Sequence, residues 1–117
     1  MSALRKATYS DLALWILGRR QRHRVVGASM VPELHDGEEV LVDHRAYRGC
    51  TVAVGDVVLV THPTQGATRI IKRVSGVSSD GVMLHGDNQE ESTDSRHFGP
   101  VSEERVLGQV VARFDDR

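Results

Sequence analysis

Ser29 sits in the stretch GASMVPELHDGEEVLVD, residues 27–43, between small residues and a methionine. A serine hydroxyl is a weak nucleophile until a neighbouring base takes its proton. The candidate bases are six histidines and two lysines, Lys6 near the amino terminus and Lys72 within RIIKRVSGV. Alternation along a strand puts Ile70, Lys72 and Val74 on one face and Ile71 and Arg73 on the other, which gives Lys72 apolar company. An ordinary lysine, with a pKa of about 10.4, is too rarely neutral at pH 7 to act as a base. Desolvation by Ile70, Val74 and Met30 favours the neutral amine, and a Ser-Lys dyad then becomes workable.

The elements that must position these two residues follow from the apolar pattern. After Val25 the chain reads as short β-branched runs separated by turns: EEVLVD, VAVGDVVLVTH, TRIIKRVSGV, GVMLHGD and RVLGQVVARF. Asp36-Gly37, Gly55-Asp56, Gln65-Gly66, Asp80-Gly81 and Gly86-Asp87 supply turn chemistry between them. Before them, Ser10 and Asp11 cap a short helix through Leu12 to Leu17, with Gly18 as its stop. The expected organisation is an amino-terminal helix with a basic segment over 1–22 and a β domain over 23–117. The irregular stretch from Asp87 to Glu104 is longer than a connection in so small a domain needs, which marks it as functional.

Bulk properties narrow the class. A chain of 117 residues has room for one domain. With 15 Lys+Arg against 16 Asp+Glu the net charge is -1, so no global field steers the protein onto nucleic acid. The single cysteine, Cys50, forms no intrachain disulfide, and a reducing cytoplasm is the simpler expectation. The apolar run LALWIL is far shorter than the roughly 20 residues of a membrane-spanning helix. The arginines of RRQRHR follow that run instead of preceding it, against a secretory signal, so the amino terminus is expected to be retained. Trp15 followed by those arginines suits peripheral contact with a membrane interface; a helix docked on its own core is the blander expectation. The histidines lack metal-ligand spacing, so neither metal nor cofactor is expected.

Four stretches carry a family resemblance. GASMVPELHDGEEVLVD resembles the serine box of type I signal peptidases, GDVVLV the box after it, RIIKRV the lysine box and GDNQEESTDSRHFGPV the closing Gly-Asp-Asn box. Their order across most of residues 27–110 makes the resemblance specific, where any one box would be weak. It implies a mainly β fold of the signal-peptidase type, a compact barrel or complex β arrangement with one short helix. It also implies a serine peptidase with Ser29 as nucleophile, Lys72 as general base and Ser92 as the hydroxyl orienting the amine. Asp94 and Arg96 become a structural ion pair, and Gly27, Ala28, Met30 and Pro32 become substrate-side positions and scaffold. The backbone N–H of Ser29 is the natural oxyanion donor. Some relatives add a hydroxyl two positions before the nucleophile, where this chain has Gly27.

The short Trp-containing helix and arginine cluster ahead of the serine box are similar to those of the small branch of nickel-type superoxide dismutase maturation proteases. That resemblance implies a precursor of nickel-type superoxide dismutase as the protein substrate. A general signal-peptidase-like enzyme, a self-cleaving repressor-type protease and a non-catalytic peptide-binding β module are the alternatives. On composition, a Ser-His-Asp arrangement using His62 or His85 with Asp87 is a competing chemistry, though no nucleophile elbow supports it.

Overall fold

The β-branched runs pair into one antiparallel sheet. A computed structural model describes residues 4–27, 29–88 and 98–114. Its elements are helix α1 (Tyr9–Ile16) and strands β1 (Gln21–Arg24), β2 (Glu39–Asp43), β3 (Val57–Thr61), β4 (Arg69–Ser78), β5 (Gly81–His85) and β6 (Val106–Phe114). The strand order is β1-β2-β6-β3-β4-β5, with every neighbouring pair antiparallel. The fold is mainly β with one short helix, as expected. The pairing leaves β1 and β5 as edges, so the described sheet is not a closed barrel.

Both faces of the central strands are covered, which is why β3 reads as an unbroken apolar run. Val57 and Leu59 join Val25, Met30, Leu34, Val40, Val42 and Val110 in one core cluster. Val58 and Val60, pointing the other way, join Val52, Val74, Val82, Leu84 and Val101 in a second. The register pairs Val58 with Lys72 and Val60 with Ile70, so Lys72 does share its strand face with Ile70 and Val74. Two glycines permit close backbone approach. A Cβ on Gly108 in β6 would lie 2.7 Å from the Asp43 carbonyl oxygen, and one on Gly81 would lie 2.5 Å from that of Val101.

Two local expectations are corrected. The helix is capped by Thr8, not by Ser10 and Asp11; Asp11 is the third helical residue of a capping box, its carboxylate accepting from the Thr8 N–H at 2.8 Å. The helix also ends at Ile16, with Leu17 as its C-cap. Secondly, the strand runs were expected only after Val25, yet β1 covers Gln21–Arg24. Its residues, QRHR, carry no apolar alternation, and the strand forms because its backbone completes the edge of β2. Arg22 lies 4.9 Å from the Trp15 ring centre and 4.7 Å from that of Phe114, so this arginine is engaged with aromatic surface instead of solvated.

Candidate active site

Ser29 opens a run of turns and bends over residues 29–34 whose buried residues, Met30 and Leu34, anchor it in the first core cluster. The chain enters that run through Gly27 at φ 84°, a left-handed conformation that favours glycine, and the Gly27 N–H donates to Asp36 Oδ1 at 2.8 Å. The N–H of Asn88, just after β5, donates to the Ser29 carbonyl at 2.7 Å. The first and last of the four sequence boxes thus meet at one turn.

Lys72 lies in the middle of β4 and is 4% exposed. Ser29 and Lys72 line the same groove, of about 410 Å³, together with Gly27 and Met30. Pro32 is exposed and is not among the described groove residues. Ala28, Ser92, Asp94 and Arg96 lie outside the described residues.

The ion pair that the described residues do contain is a different one. Arg73, next to Lys72 but facing the other way, is 4% exposed. Its Nε and Nη2 donate to the two carboxylate oxygens of Asp87 at 2.8 and 2.9 Å, and its Nη1 donates to the Gly55 carbonyl at 2.8 Å. Glu33, in the serine turn, lies 3.8 Å from Nη2. The hydrogen bond to Asp87 holds the guanidinium pKa above its ordinary value, against the opposing effect of burial and with the charges of Asp87 and Glu33 assisting. One buried fork therefore ties β4 to the segment after β5 and to the serine turn. Sequence reasoning missed it. The available signal was an arginine on an otherwise apolar strand, which needs a buried carboxylate.

The competing Ser-His-Asp arrangement loses its acid. Both carboxylate oxygens of Asp87 are taken by Arg73. His62 does line the groove, but its Nδ1 accepts from the Thr64 N–H at 3.1 Å. In the neutral ring that leaves the proton on Nε2, so neither nitrogen is ready to take one from a serine. The ring packs edge-on to Phe98 with centroids 5.3 Å apart, as a core histidine does. Among the described residues no group of three or more His, Cys, Asp or Glu side chains could hold a metal ion.

Comparison with known proteins agrees with this frame. The profile of the family described as signal peptidase, peptidase S26, matches residues 12–84 and 77–114. The chain is similar to the mitochondrial ATP-independent inner membrane protease subunit 1a of Arabidopsis thaliana, at 33% identity over 76% of this chain and 67% of the relative. It is 35% identical to the mitochondrial inner membrane protease subunit 1 of Schizosaccharomyces pombe, over 74% and 68% respectively. With subunit 2 of the Danio rerio protease it shares 37% identity over 77% of this chain and 59% of the relative. These relatives overturn the expected cytoplasmic location, because their names set them at an inner membrane. The inference from one unpaired cysteine failed because absence of a disulfide reports redox conditions and says nothing about attachment to a membrane. No helix among the described residues is long and apolar enough to cross one. With the serine turn, the lysine strand and the profile all in agreement, the chain belongs to the S26 signal peptidase family.

Proposed function

We propose that the protein is a serine endopeptidase in which Ser29 attacks the scissile carbonyl and Lys72 acts as general base. The observation that carries this reading is that Ser29 and the buried Lys72 line one groove in a chain of a peptidase family. The Lys72 amine takes the Ser29 proton as the acyl-enzyme bond forms and returns it to the leaving amine; water then attacks the acyl group with the same amine as base. The Ser29 N–H faces the developing oxyanion, and Ser92 orients the lysine. Asp94 and Arg96 steady the closing loop.

The substrate is a precursor whose amino-terminal leader is removed, and the helix and arginine cluster favour the precursor of nickel-type superoxide dismutase. Work at a membrane surface, of the kind the relatives' names indicate, is compatible with helix α1 and its C-cap, where Tyr9, Ile16 and Leu17 are exposed. The test incubates wild type and Ser29→Ala with that precursor and reads the new terminus by mass spectrometry. A single cut by wild type and none by Ser29→Ala is expected, because the substitution removes only a hydroxyl. Turnover retained in Ser29→Ala would overturn the mechanism, and an intact precursor beside cleaved unrelated leaders would overturn the substrate.

A further inference from the structure

The fixed charges that line the groove at Ser29 and Lys72 are two arginines, Arg24 and Arg69, and no Asp or Glu is among its described lining residues. The chain as a whole is nearly neutral, so this is local sorting, not a general basic bias. Arg24 is close to Glu39, at 3.7 Å, and its side chain is 68% exposed. Arg69, the exposed first residue of β4, forms no ion pair with another described residue. Its charge reaches His23, whose pKa is lowered by burial first and then by His44 and Arg69. Arg69 and His23 therefore share the same end of the groove.

Distance along the strand sets where a substrate would meet that end. Residues in an extended chain advance about 3.3 Å each, so Arg69 lies roughly 10 Å from Lys72. A peptide lying along β4 with its scissile carbonyl at Ser29 brings its third residue from that bond to Arg69. We propose that Arg69, assisted by Arg24, is a specificity-determining residue that selects an Asp or Glu side chain about three residues from the scissile bond. The inference rests on the peptidase reading above.

The experiment digests a proteome-derived peptide library with wild type and with Arg69→Glu, and reads every cleavage site by mass spectrometry. Wild type should enrich Asp and Glu roughly fivefold to tenfold at the third residue on one side of the cut, the size expected of a partly exposed ion pair set against a like-charge clash. In Arg69→Glu the enrichment should pass to Lys and Arg at that position. For the best-cleaved peptide, exchanging its Glu for Lys should lower kcat/KM by about the same factor in wild type and raise it in Arg69→Glu, so that any common loss of rate cancels in the ratio. Cleavage with no charge preference, or a preference unchanged in Arg69→Glu, would overturn the inference alone. No cleavage of any library peptide would overturn the peptidase reading and this inference with it.

Discussion

Arginine serves two regions of this molecule in opposite ways. At the site, Arg73 is 4% exposed, and its guanidinium donates three hydrogen bonds, two to Asp87 and one to the Gly55 carbonyl, with Glu33 nearby. On the edge strand β1, Arg22 keeps 38% of its side chain exposed, lies over Trp15 and Phe114 and pairs with Glu39. The first adds a buried side-chain tie between β4, the segment after β5 and the Gly55 turn, which backbone hydrogen bonds also hold together. The second covers aromatic surface that the strand's own polar sequence cannot bury. Burial, not residue type, separates an organising cation from a covering one.

The two settings should part company when each arginine is removed. Arg73→Ala leaves the Asp87 carboxylate without its fork, and the loss expected for breaking a buried pair is about 3 to 5 kcal/mol. Denaturant unfolding checks this, and a loss below about 1 kcal/mol would mean that the fork does not organise the site. The capping box of α1 occupies the middle ground. There the Arg5 hydrogen bond holds the Asp11 carboxyl well below the usual carboxylate range, against burial, with Thr8 assisting. A lowered folded-state pKa means stability that is fully present above the unfolded value, about 3.9, and lost as pH falls below it. Asp11→Asn should therefore cost about 1 kcal/mol at pH 7, and the gap to wild type should close on acidification below pH about 4. A gap that persists there would show that packing matters more than charge. Arg22→Ala should cost least, about 1 kcal/mol or under, as exposed cation–π contacts and surface pairs do.

The same contrast explains what could be read before the fold was known. Strands β2 to β6 were legible because Val40, Val42, Val57 to Val60, Val74, Val82, Leu84, Val110 and Ala112 are apolar at strand spacing and are buried. The placing of Lys72 with Ile70 and Val74 followed from that same alternation. Strand β1 was illegible, since QRHR pairs through backbone groups that any sequence carries. The cap at Thr8 was missed because Ser10 and Asp11 are equally good capping types. Asp87 was read as a turn residue, because nothing local says that its partner is Arg73, fourteen positions away. The expected pair of Asp94 with Arg96 lies outside the described residues.

The central claim is that Lys72, buried beside a groove that also holds Ser29, works as a neutral amine. Its most direct test is kcat/KM for cleavage of one peptide substrate by Lys72→Arg and wild type across pH. A guanidinium keeps its charge and cannot accept the serine proton, so Lys72→Arg should show no turnover at any working pH. Wild-type activity should rise with an apparent pKa well below lysine's usual value of about 10.4. An active Lys72→Arg enzyme, or a wild-type profile that rises only near that value, would contradict the account.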